Sequence, residues 1–249
     1  MTDAQRLRYA RQLVLPEVGE AGQEKLRQAR VLIVGAGGLG SPAALYLAAA
    51  GVGALGLVDP DRVELSNLQR QILHSSDRVG RPKALSGKET LESLNPEVKV
   101  EPHVIEIGSE NAAALVRDYD VVIDAVDNLT SRYLVNEACF HASRPLIEAG
   151  VLRWEGMVMT ILPGQSPCYR CLFPVPPPPG AVATAREAGI MGVAAGVMGV
   201  IQAAEAIKLI LGAGTPLSGR LLLFDALSMT FREVRIDRNP ACPLCGITD

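Results

Sequence analysis

The sequence predicts an α/β fold with a mainly parallel sheet that continues into an antiparallel edge, and three observations carry that expectation. A short β-branched run, Val31 to Val34, ends in the glycine turn Gly35-Ala36-Gly37-Gly38-Leu39-Gly40 and leads into the alanine-rich helical stretch Ser41 to Ala50. Strand then alternates with helix, which implies right-handed crossovers and parallel pairing. After Pro145 to Ala149 the rhythm changes to hairpin-like runs at Gly156 to Leu162, Leu221 to Phe224 and Met229 to Ile236. The first two features are those of a Rossmann-like sheet, and the third supplies its antiparallel edge. With 249 residues, 48% hydrophobic and 20% charged, the chain can bury a large core. We read it as one domain, 1–249, whose first half spans 1–150 and whose second half spans 151–249.

In chain order, the first 29 residues read as helical and polar, with Arg8, Arg11 and Arg27 and a break near Pro16 to Gly19. After the glycine turn and its helix comes a strand at Ala54 to Val58, closed by Asp59. Lys83 to Leu94 fits a helix stopped by Asn95-Pro96, and Val98 to Val104 fits a strand. Val121 to Val126 is a buried strand followed by Asp127, then a helix from about Thr130 to Ala142. Both acids fall at carboxyl ends of strands, where open parallel sheets bind ligands. Pro174 to Gly180, with five prolines, reads as a stiff exposed loop. Gly189 to Ala204 carries no charge and contains Gly192-x-x-x-Gly196. That run is shorter than the roughly 20 residues a bilayer requires, and Glu205 and Lys208 continue the helix, so the expected role is a buried helix approaching a neighbour through its glycines.

A net charge of −3 argues against a broad electrostatic footprint for nucleic acid or an anionic membrane. No apolar segment follows the basic residues of the N-terminus, so no secretory signal is read and the cytoplasm is the expected compartment. Cys168-Tyr169-Arg170-Cys171 and Cys242-Pro243-Leu244-Cys245 are two CxxC pairs separated by 70 residues. Each offers two sulfurs from one tight turn, and four thiolates close a tetrahedral shell around Zn²⁺, which makes the expected zinc site structural. A redox dithiol would need one such pair, and disulfides do not suit the expected compartment. Cys139 falls in a helical run and reads as a buried, inert thiol.

A GxGxxG turn brings backbone N–H groups to phosphate at the positive end of a helix, so Gly35, Gly37, Gly38 and Gly40 are candidate nucleotide contacts. Asp59, at the end of the next strand, is placed to accept from ribose hydroxyls. Those features alone favour a nicotinamide-dependent oxidoreductase. Against it stands a dense polar segment holding Asp61, Arg62, Glu64, Ser66, Asn67, Gln69, Arg70 and Gln71. Arg70 and an amide on a short helix, joined by Lys83, suit two or three phosphates, while the alternative is an ordinary solvated helix. Asp127-Asn128 suits either a Mg²⁺ ion against phosphate or a helix N-cap. Of the three histidines, His74, His103 and His141, none marks hydride chemistry, and each reads as surface or satisfied core.

Taken together, Arg8-Tyr9-Ala10-Arg11-Gln12, the GAGGLG turn, Asp59, Ser66-Asn67-Leu68-Gln69-Arg70-Gln71, Gly80-Arg81-Pro82-Lys83, Asp127-Asn128, the CYRC pair and Asn239-Pro240 before the last pair resemble the MoeB/ThiF/HesA family of ubiquitin-activating-like adenylyltransferases, from about Arg8 to Cys245. The resemblance implies a reaction in which the C-terminal glycine carboxylate of a small ubiquitin-fold sulfur carrier, ending in Gly-Gly, attacks the α-phosphate of ATP to give an acyl adenylate and pyrophosphate. It implies binding roles for Gly38, Asp59, Asn67, Arg70, Lys83 and Asp127, with Asp59 on ribose and Arg70 and Lys83 on phosphates. By the same likeness, Arg11 reaches the ATP of a neighbouring subunit in a homodimer. Relatives that bond covalently to the carrier place a cysteine where this chain has Ala185. No rhodanese-like segment follows before Asp249. The expectation is therefore adenylation alone, with sulfur delivered by a separate donor such as a cysteine desulfurase.

Overall fold

Strands β1 (Arg30–Val34), β2 (Ala54–Val58), β3 (Lys99–His103), β4 (Val121–Asp124), β5 (Leu146–Leu152), β6 (Glu155–Ile161), β7 (Arg220–Asp225) and β8 (Thr230–Arg235) form one sheet in the order 3-2-1-4-5-6-7-8. This is a computed structural model that describes residues 1–246 except Pro179 and Val182, and excludes the side chains of Ala185 and Arg186. Strands β3 to β5 of that order pair in parallel, and β5 to β8 pair antiparallel. The residue 150 boundary falls within β5, so strands of both halves share the sheet.

The helices are α1 (Asp3–Arg8), α2 (Ala10–Leu13), α3 (Gly19–Gln28), α4 (Gly40–Ala50), α5 (Lys83–Leu94), α6 (Ala112–Arg117), α7 (Leu129–His141), α8 (Tyr169–Leu172), α9 (Ala185–Ala188) and α10 (Gly192–Leu211). Parallel strands here are covered on both faces, so each buries alternate residues into a different layer. Val31 and Ile33 of β1 join a cluster with Leu26, Leu47, Leu91 and Met198, from α3, α4, α5 and α10. Leu32 and Val34 point the other way, to Val116, Val135, Cys139 and Tyr169 of α6, α7 and α8. Fully buried side chains such as Leu47, Leu55 and Leu91 each contribute about 1.5–3 kcal/mol of apolar burial.

Helix α10 runs as a core helix along β4, β5 and β6 and against α4. Its close approach uses glycines, but not the pair expected from the sequence. A Cβ at Gly192 would lie 2.5 Å from the Gln69 carbonyl oxygen, and one at Gly199 would lie 2.2 Å from that of Leu39, whereas Gly196 has nothing within 4 Å. The two close glycines are seven residues apart, two turns along one face of the helix, and Gly196 between them on the same face meets open space.

Two other differences from the sequence reading have local causes. Strand β4 stops at Asp124 rather than Val126, because Asp124 Oδ1 accepts the Val126 N–H at 3.0 Å and turns the chain out of the ladder. Helix α6, six residues long, is too short for periodicity to reveal. At the far edge, β8 is exposed and carries Arg232, Glu233 and Arg235, charges that oppose pairing with another strand.

Candidate functional site

The glycine turn closes on itself at the carboxyl end of β1. Gly35 has φ +104°, and a Cβ there would stand 2.5 Å from the Ala125 carbonyl oxygen, just past β4. At Gly40 a Cβ would stand 1.8 Å from the carbonyl oxygen of Gly35. No side chain fits either position, so the turn abuts β4 and feeds directly into α4. Leu39 precedes α4 and no side chain caps it; Ser41 and Ala43 donate to the Gly37 and Leu39 carbonyls and Pro42 has no N–H, which leaves the Gly40 amide at the positive end of the helix for an anion.

Asp59 follows the last residue of β2 beside that turn. Its Oδ2 accepts the Ala36 N–H at 2.8 Å, and its Oδ1 accepts the Asp61 N–H at 2.9 Å. Each oxygen retains a lone pair, so the carboxylate can still accept from a ligand hydroxyl. Burial raises the Asp59 pKa, opposed by the Lys83 ammonium and the two amides. Lys83, the first residue of α5, is also buried; its Nζ bonds Asp61 Oδ2 at 2.8 Å and lies 3.9 Å from Asp59 Oδ1. One of its three donors is used by Asp61.

Ser66 and Asn67 lie on a 3₁₀ turn, Leu65–Asn67, in place of the short helix expected there. The Asn67 carbonyl accepts the N–H groups of both Arg70 and Gln71, which turns Arg70 toward the glycines. The Arg70 stem then packs over Gly38, with its Cγ 3.4 Å from where a Cβ would be, while its Nη1 donates to the Ser66 carbonyl at 3.3 Å. Gly192 at the start of α10 presses on the same residue. The fold therefore brings Gly35 to Gly40, Asp59, Ser66, Asn67, Arg70 and Lys83 to one end of the sheet.

Asp127 and Asn128 are exposed at the same end. Asn128 is the N-cap of α7, its Oδ1 accepting the Ser131 N–H at 2.8 Å, which leaves the Asp127 carboxylate without a capping role. Beneath them lies a buried charge cluster that sequence reading missed. Asp124 and Glu148 are register partners on β4 and β5, and Arg132 of α7 reaches both strands. Arg132 Nη2 donates to the carbonyls of Val126 at 3.2 Å and Ala149 at 2.9 Å, and Nη1 lies 3.0 Å from Glu148 Oε1. That last pair is too poorly aligned to satisfy either Glu148 oxygen. Burial pushes Glu148 up to about 7 despite the guanidinium, and raises Asp124 as well. Burial works to lower the Arg132 pKa, but Glu148 and Asp124 outweigh it and hold the guanidinium above its ordinary value. One cation serving two buried acids accounts for these directions. Asp124 and Arg132 thus grip the N–H and C=O of Val126, immediately before Asp127.

Arg11 is not part of this gathering. Tyr9 packs on Gly51 and Gln12 donates to the Ala50 carbonyl, which fixes α2 at the far end of α4. An 11-residue helix, about 16 Å long, separates Arg11 from its own glycine turn, beyond an arginine's reach.

The four cysteines meet at α8 and the C-terminal turn. All four Sγ atoms lie within 4.8 Å of one another, with Cys168–Cys242 at 3.6 Å and Cys171–Cys245 at 3.3 Å. Tetrahedral Zn–S bonds of about 2.3 Å require sulfur separations near 3.8 Å, so the cluster has the size for one ion. The Asn239 N–H to Cys171 Sγ and the Cys245 N–H to Cys242 Sγ, both 3.5 Å, supply the backbone donors that thiolates accept. Cys139 lies apart from them, and burial pushes its thiol well above the ordinary range, as expected of an inert side chain.

A glycine turn at the end of a mixed α/β sheet, acids and cations around it and a separate four-cysteine cluster define a Rossmann-like protein that joins a phosphate-type cradle to a metal-type cluster. The chain belongs to the ThiF family, whose model matches residues 9–244. It is 51% identical over 244 residues to a protein from Thermus thermophilus named sulfur carrier protein adenylyltransferase, covering 96% of this chain and 90% of that one. It is 50% identical to the adenylyltransferase and sulfurtransferase MOCS3 of Drosophila sechellia, covering 96% of this chain but 53% of the relative. Among solved structures, the microcin C7 biosynthetic enzyme MccB in complex with N-formylated MccA superposes with a TM-score of 0.86 at 27% identity, over 96% of this chain and 75% of that one. E. coli MccB with AMPCPP and MccA gives 0.84 at 26%, over 96% and 74%.

Proposed function

We propose that this adenylyltransferase uses ATP and Mg²⁺ to adenylate the C-terminal glycine carboxylate of a ubiquitin-like sulfur carrier, releasing pyrophosphate. The observation that carries the reading is the packing of Arg70 over Gly38, with Lys83 held beside Asp59 at the same glycine turn, two cations that suit a triphosphate. The carrier supplies an already ionised carboxylate as nucleophile. Its oxygen bonds to the α-phosphorus as the bond to pyrophosphate breaks, so alignment and charge neutralisation are the work of the enzyme.

In this reading the glycine turn and the start of α4 receive phosphate, Asp59 accepts from ribose, and Asn67 sits on the turn that directs Arg70. Arg70 and Lys83 neutralise the leaving group. A Mg²⁺ ion held by the exposed Asp127 would add further charge stabilisation. Arg11, which cannot reach its own site, would serve a second subunit in a homodimer. A zinc ion held by the four cysteines would tie the C-terminal turn to α8. A cleft of about 410 Å³ between Leu129, Thr130 and Tyr133 of α7 and Pro176 to Pro178 opens beside Asp127 and suits an extended peptide tail. We read 1–249 as one such domain, acting in the cytoplasm with a separate sulfur donor. The Ala185 side chain lies outside the described residues.

Pyrophosphate exchange into ATP, measured with sulfur carriers ending in Gly-Gly, tests the proposal. Carrier-dependent exchange that is abolished by Arg70→Ala and by Asp127→Ala is the expected result. No exchange with any carrier in zinc-replete protein, or NAD(H) bound far more tightly than ATP, refutes it.

A further inference from the structure

Ala36, between the first two glycines of the turn, is fully buried and has its peptide groups held on both sides. Its N–H donates to Asp59, and its carbonyl oxygen lies 2.9 Å from His74 Nε2. A carbonyl only accepts, so His74 carries its proton on Nε2, and Nδ1 accepts from Ser86 Oγ at 2.9 Å. Burial holds the His74 pKa below its ordinary value, consistent with a neutral ring in that single tautomer.

The geometry matters because the Ala36 carbonyl and the Gly37 N–H belong to one planar trans peptide, and point in opposite directions. Holding the carbonyl against His74 aims the Gly37 N–H away from the core. Among the described residues that N–H has no backbone partner. The neighbouring groups are held by the Gly35 N–H to the Val58 carbonyl at 2.8 Å and the Gly37 carbonyl to the Ser41 N–H at 2.9 Å, but on the Ala36–Gly37 peptide itself the His74 contact is the hydrogen bond found among the described residues. Glycine-rich segments lose the most backbone freedom on ordering, so an unclamped Gly-Ala-Gly-Gly turn would sample many orientations.

We infer that His74, buffered by Ser86, is a positioning residue: it fixes the Ala36–Gly37 peptide so that the Gly37 N–H is presented as a phosphate donor. This rests on the ATP reading of the glycine turn. Nothing in His74's own chain position announces the role, since it lies 34 residues after Gly40 and reaches the turn only through the packing of its segment against α5.

Two amide variants isolate the contact. In His74→Gln the amide reaches the Nε2 position and can donate to Ala36. In His74→Asn it reaches only the Nδ1 position beside Ser86. Amide hydrogen exchange across Gly35 to Leu39 and the Kd for ATP are measured on the full chain, with thermal unfolding to confirm that both variants are folded. For His74→Asn, exchange in the turn should accelerate and the Kd rise, each by about tenfold, the effect of losing one buried hydrogen bond. His74→Gln should stay within about threefold of the unsubstituted protein on both measures. Equal impairment of the two variants, or no change in His74→Asn, overturns the inference. Failure of the unsubstituted protein to bind ATP would instead overturn the nucleotide reading, and the exchange comparison would still decide whether His74 holds the turn.

Discussion

Replacing Gly199 by alanine tests how tightly the candidate nucleotide end depends on the packing of α10, whose Ala195 Cβ stands 3.3 Å from where a Cβ at Gly38 would be. The added Cβ would stand 2.2 Å from the Leu39 carbonyl oxygen and 2.6 Å from Pro42 Cγ. Contacts below 3.0 Å are essentially never found, so α10 and the start of α4 must separate by about 0.8 Å. Both obstructing atoms belong to the same helix start, and one is backbone, so no rotamer change relieves the clash. Overpacking of this kind costs about 1–3 kcal/mol or more, and the gain in helix propensity from Gly to Ala returns up to about 1 kcal/mol. A net loss of about 2 kcal/mol in a chain of this size lowers the melting temperature by about 4–8 °C. Because Leu39 leads directly into Gly40, the same displacement should weaken ATP binding by about tenfold, as shifting a preorganised donor set does. Calorimetry and an ATP titration on the purified variant measure both effects. An unchanged or raised melting temperature with unaltered ATP affinity would refute the packing argument.

Two further outcomes follow from the buried acids and the thiolates. With its pKa raised to about 7 from an ordinary 4.5, folded Glu148 keeps a proton that the unfolded chain loses. Its contribution to stability is whole below about pH 4.5 and is lost as pH rises toward 7, by on the order of 3 kcal/mol at most. Glu148→Gln should therefore flatten the fall in denaturant-derived stability between pH 5 and pH 8, and parallel profiles for the two proteins would contradict the assignment. At the cysteine cluster, native protein should carry about one zinc per chain by elemental analysis, with Cys242→Ser losing the metal and melting lower. A metal-free native protein of undiminished stability would remove zinc from the description.

The elements most legible in sequence were those with strong local signals. Ala54 to Val58 and Lys83 to Leu94 match their observed boundaries, because a short apolar run before an acid and a helix stopped by Asn-Pro are decided within a few residues. The antiparallel edge was legible for the same reason. Helix α6 was too short to show a period. The choice of Gly192 and Gly199 over Gly196 could not be read from spacing, since all three share a face and it depends on where along α10 the Gln69 and Leu39 carbonyls approach.

By itself, the sequence determined the sheet type, the glycine turn, the residue types at the strand ends and the two cysteine pairs, because each is a local pattern of backbone permissiveness, burial period or ligand chemistry. Only the tertiary structure decided what those residues do to one another. It turned Arg70 onto Gly38, set Lys83 between Asp59 and Asp61, put Arg11 a helix length from its own turn, and closed four sulfurs into one cluster across 70 residues. It also drew in His74, Asp124, Arg132 and Glu148, whose positions carry no local signal. Their significance comes from burial and from hydrogen bonds to peptides distant in sequence, and those exist only once the layers have packed.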